Sequence, residues 1–158
     1  MIIIDFPSGT KTIDIPRDNH LDYEFMRGIR ELCTELEVPL IFDEIQTGIC
    51  ATGKTWLFEH LDIVPDIVIF GKKAQVCGIM TTKEFSSVFE SKYKMLDTTW
   101  DSDLVDMIRS RYVMDVIESE NLRDLVSINS KKFLNDLEKI NNIYNVRGKG
   151  CLIAFDFK

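Results

Sequence analysis

Leu40-Ile41-Phe42-Asp43-Glu44-Ile45-Gln46-Thr47-Gly48 decides the fold of this chain: an apolar run that stops abruptly at two carboxylates and a polar turn. Residues 38–42 are nearly continuous in branched and aromatic side chains, the pattern of a strand covered on both faces of a parallel sheet. Residues 2–4 and 67–70 share that texture and predict two more strands. Between the first two, a helix is predicted over 23–36, with Asp22 as N-cap and Phe25, Ile29, Leu32 and Leu36 as one apolar stripe. Strand and helix in alternation imply an α/β sheet.

Further along, 77–80 reads as another strand and 83–91 as a short helix. Two long helices are predicted over 103–118 and 122–140. Residues 151–157, after Arg147-Gly148-Lys149-Gly150, read as a closing strand. With one strand opening at residue 2 and another closing at the last residue, the expectation is a part of a larger fold. No internal repeat or low-complexity segment interrupts it.

The 158 residues suffice for a domain with a core, and 45% hydrophobic with 28% charged residues is ordinary for a globular chain. A net charge of −7, with scattered Lys and Arg, argues against a nucleic-acid partner. No apolar stretch reaches the ~18–20 residues of a membrane helix. Cys33, Cys50, Cys77 and Cys151 form no CxxC pair, and His20 and His60 lack partners at metal-ligand spacing. The reading is a reduced, cytoplasmic protein without metal or membrane partner.

Two chemistries compete for the central stretch. The letters GICATGKT, from Gly48 to Lys54 and Thr55, match the P-loop formula, and Asp43-Glu44 resembles the acidic strand end of such proteins. A P-loop must leave its strand directly and enter a helix, whereas here Glu44 to Thr47 intervene and only a short segment follows before Pro65. The alternative uses strand ends, where α/β sheets collect ligands. Asp43 ends one strand and Lys72, after Phe70-Gly71, ends another. An amine and a carboxylate so placed can address opposite sides of one small ring. Pyridoxal phosphate needs that pair, a lysine for the Schiff base and an acid to keep the pyridine nitrogen protonated.

Phe42-Asp43-Glu44-Ile45-Gln46-Thr47-Gly48, Thr52-Gly53, Trp56, Glu59-His60 and Pro65-Asp66-Ile67-Val68 resemble the class III aminotransferases. Phe70-Gly71-Lys72-Lys73-Ala74-Gln75-Val76-Cys77-Gly78-Ile79-Met80, Thr99-Trp100, Leu104 to Arg111 and Asn145-Val146-Arg147-Gly148-Lys149-Gly150 resemble, more narrowly, the lysine 6-aminotransferases. The resemblance runs from Asp18 onward and accounts for Gly48 and Gly53 as parts of an active-site turn.

What it implies is the central part of a fold-type-I large domain, with long helices leading to the small domain. The divisions expected are 1–98 for the partial large domain, 99–144 for the helical connection and 145–158 for the start of the small domain. By the same resemblance Lys72 is the Schiff-base lysine, Asp43 the partner of the pyridine nitrogen, Ile45 a ring-packing residue and Gln46 a contact near the ring hydroxyl. Thr99 matches a threonine that touches the phosphate bound in a neighbouring subunit, which implies a homodimer. The implied reaction moves the terminal amino group of lysine to 2-oxoglutarate. Lys73 is expected to be solvated and His60 structural; Met80, Met107 and Met114 are read as core or interface filler.

Departures from the family pattern accompany these matches. Asp101-Ser102-Asp103 stands where the family has Gly-Gly-Asn, which places two carboxylates near the phosphate position. Like charges ~5 Å apart repel by about 3 kcal/mol at an effective dielectric of ~20. Cys50 replaces a glycine of the turn, and the glycine-rich segment near the N-terminus has become Asp5-Phe6-Pro7-Ser8-Gly9-Thr10. The upstream phosphate-cradling loop and the downstream substrate-holding arginine have no counterpart. Two functions stay open: an aminotransferase site completed by further chain or a complementing fragment, and a non-catalytic remnant serving as a binding or dimerisation module.

Overall fold

The computed structural model describes residues 2–5, 23–88 and 103–158. Its first sheet holds β1 (Ile2–Asp5), β2 (Leu40–Asp43), β3 (Ile67–Phe70) and β4 (Gly78–Thr81) in that spatial order. β1, β2 and β3 run parallel, with Ile4 opposite Phe42 and Asp43 opposite Ile69; β4 returns antiparallel, Gly78 opposite Phe70. Short 3₁₀ turns at Leu57–His60, Lys72–Ala74 and Lys83–Val88 separate these strands or follow them. The predicted short helix over 83–91 is thus a 3₁₀ segment as far as it is described.

Helix α1 (Tyr23–Glu35) packs on the sheet through Met26 and Cys33, which are buried, with Ile29 between them. The predicted stripe is therefore rotated: Phe25, Leu32 and Leu36 are exposed. A tertiary ion pair sets the helix orientation. Arg30 donates to Asp66 at 2.8 Å, and the same carboxylate oxygen accepts the Leu40 N–H at 2.7 Å at the start of β2. Helical periodicity finds an apolar face but not which of two adjoining faces meets the sheet. The core gathers Met26, Cys33, Leu40, Phe42, Leu57, Leu61 and Ile63, with Phe58 set edge-on to Phe42 at 6.4 Å between ring centres.

α2 (Leu104–Ser119) and α3 (Leu122–Leu137) follow. Asp103 caps α2, its carboxylate accepting the Val105 and Asp106 N–H groups at 2.8 and 3.2 Å. No residue of α2 is fully buried, and Met107, like Met80 of β4, is exposed rather than core filler. The chain ends in a second sheet, the hairpin of β5 (Ile143–Lys149) and β6 (Leu152–Phe157). β5 is absent from the sequence prediction because Asn145, Arg147 and Lys149 break its apolar pattern. Its register slips between Tyr144 and Arg147, where Asn145 takes a left-handed φ of 53°.

Candidate active site

Because β2 and β3 are parallel neighbours, their carboxyl ends open on the same edge. The Glu44 N–H bonds to the Ile69 carbonyl at 2.8 Å, carrying the pairing one residue beyond β2. Asp43 ends the strand half-buried, one carboxylate oxygen accepting the Ile45 N–H at 3.0 Å. On β3 the chain turns at Gly71, where a Cβ would lie 3.0 Å from the Cys77 Sγ and 3.8 Å from Ile45. Lys72 follows with a φ of 44°, a left-handed conformation that costs a non-glycine residue about 1 kcal/mol.

Both lysines converge on Gln46. Lys72 Nζ donates to Gln46 Oε1 at 2.6 Å, and Lys73 Nζ donates to the Gln46 main-chain carbonyl at 2.5 Å. Their exposures are the reverse of the sequence expectation: Lys72 is exposed and Lys73 half-buried. Burial first, and then the Lys72 charge beside it, push the Lys73 amine below its ordinary value. A groove of about 890 Å³ starts at Gln46, Lys72 and Lys73 and runs along Val113 and Ile117 of α2, Leu125 and Phe133 of α3, and the Gly150–Cys151 turn. It is polar at the lysine end and mainly apolar along the helices, where Asn129 and Ser130 are the polar exceptions.

The segment between β2 and the first 3₁₀ turn is held by Glu44, whose side chain is fully buried. Its carboxylate accepts the Thr47 hydroxyl at 2.6 Å and the Leu57 and Phe58 N–H groups at 2.9 Å. Burial raises its pKa; the three hydrogen bonds work the other way. The sequence suggested Glu44 only as part of the acidic strand end of a P-loop protein; its part as the buried anchor of this loop had one local signal, Thr47 three positions on. Cys50 has a φ of 65°, a left-handed conformation that glycine adopts without strain and cysteine does not.

Other elements dock on this loop. Gly53, at φ 86°, faces Ser127 of α3, and Arg123 of α3 donates to Thr55 Oγ1 at 3.2 Å. From the hairpin, the Cys151 N–H bonds to the Ala51 carbonyl at 2.7 Å. His60 pairs with Thr52 Oγ1 at 3.1 Å, as a structural histidine does; burial, aided by Lys149, lowers its pKa to about 4.

This geometry is not that of a P-loop. Gly48 is separated from the end of β2 and bonds back to the Glu44 carbonyl, and no long helix follows. Cys50 and Gly53 spend their N–H groups on the Thr55 and Cys50 carbonyls, and Thr55 is engaged by Arg123. A phosphate would find these donors already paired.

Of the sequence-predicted site residues, Asp43, Ile45, Gln46 and Lys72 come together at one sheet edge. Thr99 lies outside the described residues, as do Asp101 and Ser102. The Asp103 carboxylate is committed to capping α2. Among the described residues no group of three or more His, Cys, Asp or Glu is arranged to hold a metal, and no helix is long and apolar enough to cross a membrane.

Residues 18–158 match the family model for aminotransferase class-III, and the chain belongs to that pyridoxal-phosphate-dependent family. It is 38% identical over 146 residues to the L-lysine-epsilon aminotransferase of Mycobacterium tuberculosis, an alignment covering 87% of this chain and 32% of that protein. The 4-aminobutyrate aminotransferase of Dictyostelium discoideum is 33% identical over 147 residues, with 89% and 29% covered. Among solved structures, the lysine aminotransferase of M. tuberculosis superposes with a TM-score of 0.76 at 38% identity, covering 89% of this chain and 34% of that one. The ornithine aminotransferase of Toxoplasma gondii gives 0.82 at 25% identity, over 99% and 38%. The fold-type-I α/β reading is thereby confirmed, and the chain spans about a third of the length of the curated relatives it matches.

The residues present fit the family's cofactor. Gln46 Oε1 accepts a hydrogen bond from the Lys72 amine, which opens on the groove, and one carboxylate oxygen of Asp43 accepts the Ile45 N–H at the same sheet edge.

Proposed function

We propose that this chain carries the lysine and ring-nitrogen half of a class III aminotransferase site. The single observation that carries the reading is the hydrogen bond from Lys72 Nζ to Gln46 Oε1 at the shared carboxyl edge of β2 and β3. Lys72 would hold pyridoxal phosphate through its amine and Asp43 through the ring nitrogen. Ile45 would pack on the ring, Gln46 would lie near its hydroxyl, and Thr99 would reach a phosphate in a second subunit. When bound, the cofactor supplies an electron sink for breaking bonds at the substrate's amino-bearing carbon.

The protein's own part is positional. Asp43 keeps a proton at the ring nitrogen, held in place by the Ile45 N–H. Lys72 supplies an amine that can take and return a proton beside the reacting carbon. Gln46 aims that amine, and Lys73, tied to the Gln46 main chain, adds positive potential at the groove mouth. The substrates proposed are an amino acid, with lysine's terminal amine as donor, and 2-oxoglutarate as acceptor. The site would be completed by further chain and by a second copy in a homodimer. The division proposed is 1–98 for the large domain, 99–144 for the connection and 145–158 for the small-domain start, in a cytoplasmic setting that suits four free cysteines.

The test is to incubate the chain with pyridoxal phosphate, reduce with borohydride and map the adduct. A pyridoxyl group on Lys72, lost in Lys72→Ala and kept in Lys73→Ala, is the expected result. Labelling centred on Lys73, or spread over surface lysines, overturns the assignment.

A further inference from the structure

We propose that Cys50 and Cys151 form a reversible disulfide, made by exchange with a small-molecule disulfide, which clamps the β5–β6 turn onto the loop bearing Cys50. The two thiols belong to segments already in main-chain contact. The Cys151 N–H bonds to the carbonyl of Ala51, the residue next to Cys50, at 2.7 Å. Gly150 approaches that loop so closely that a Cβ on it would lie 2.3 Å from the same carbonyl. Both cysteines line one groove, and both are free. The electrostatics register the same proximity: burial raises the Cys50 thiol, Arg123 opposes this, and the Cys151 thiol adds to the rise. A disulfide needs Cα atoms roughly 4.4–6.8 Å apart, a spacing that segments in main-chain contact can offer. The other two cysteines are placed differently. Cys33 is on the buried face of α1, and Cys77 is exposed beside Gly71, outside this groove.

Exposure fixes the order of events. Cys151 is exposed and Cys50 buried, so Cys151 is the entry thiol. Its thiolate attacks a sulfur of the small-molecule disulfide; one S–S bond forms as the other breaks, and the departing thiolate takes up a proton. The Cys50 thiol then gives up its proton and attacks the Cys151 sulfur, expelling the second small thiol. Two protein thiols are oxidised and one small disulfide is reduced to two thiols. The clamp closes the hairpin end of the groove next to Lys72 and Lys73. Formation of the bond does not depend on what those lysines bind.

The experiment treats the full chain with oxidised glutathione, alkylates the remaining thiols, and maps non-reduced peptides. The expected product is a peptide linking Cys50 to Cys151, absent in Cys151→Ser, together with a rise of several degrees in Tm that added reductant reverses. Such a rise follows from closing a loop of roughly a hundred residues. Glutathione adducts on Cys151 or Cys77 with Cys50 still alkylatable would overturn the proposal, as would links between separate chains. Cys77→Ser, outside the groove, keeps the disulfide if the proposal holds.

Discussion

The carboxylate of Glu44 accepts the main-chain N–H of Leu57, thirteen residues further along, at 2.9 Å. With Phe58 and Thr47 it has three donors, and the loop between β2 and the 3₁₀ turn is thereby folded around one buried acid. Asp43 and Gln46 flank this residue, so the anchor that shapes the loop also fixes the site edge.

Glu44→Gln is expected to lower stability by about 2–3 kcal/mol, because one acceptor becomes a donor facing N–H groups that burial keeps from water. Thr47→Ala, which removes a single bond, should cost about 1 kcal/mol. Urea unfolding of both variants checks the ranking; equal costs would contradict it.

Gly150→Ala is expected to loosen the hairpin from the loop. The added Cβ would meet Ala51 and Thr52 main-chain atoms at 2.3–2.6 Å, at a φ of 60°. A loss of about 3 kcal/mol follows from clash and left-handed strain together. Gly28→Ala is the contrast, since nothing lies within 4 Å of a Cβ in the middle of α1. It should gain up to about 1 kcal/mol from helix propensity. Thermal denaturation of the pair reads both signs.

Stability should fall as pH drops from 6.5 toward about 4. His60 has an ordinary value of 6.5 and is lowered to about 4 in the fold. In that window the unfolded chain binds the proton and the folded chain does not, so unfolding gains on acidification. The size is about 1–2 kcal/mol once screening of a part-exposed ring is allowed for. Glu44, raised by burial, has the opposite sign: its contribution is largest at low pH and is lost as pH rises through its folded value. His60→Gln should therefore flatten the acid limb in urea midpoints measured across pH.

Asp66→Ala is expected to cost about 2 kcal/mol, because the Leu40 N–H loses its acceptor as well as Arg30 its partner. Arg30→Met removes the ion pair and a long, weak bond to the Val64 carbonyl but leaves the Leu40 N–H paired, and should cost about 1 kcal/mol. Equal losses in chemical denaturation would contradict this division.

Much of the site was readable without coordinates. The strand over 67–70, the two long helices and the placing of Asp43 and Lys72 at the ends of neighbouring strands are all legible in local patterns of apolar and charged residues. Two other features were not readable. β5 hides behind a pattern broken by Asn145 and Arg147, and pairing with β6 rather than its own alternation makes it a strand. The buried face of α1 was misassigned because Arg30 and Asp66, far apart in the chain, decide its rotation.

The sequence by itself determined the family, the α/β class and the candidacy of Lys72, Asp43, Ile45 and Gln46, since each rests on short motifs read at fixed places along the chain. Only the tertiary structure decided that Lys72 is the exposed lysine and Lys73 the half-buried one, both bonded to Gln46. It also showed the GICATGKT string, which residue spacing had already argued against as a phosphate loop, to be a docking hub for α3 and the hairpin. The reason is the same in each case. A hydrogen-bond donor or a neighbouring segment is chosen by packing across the chain, and residue spacing along the chain carries no record of it.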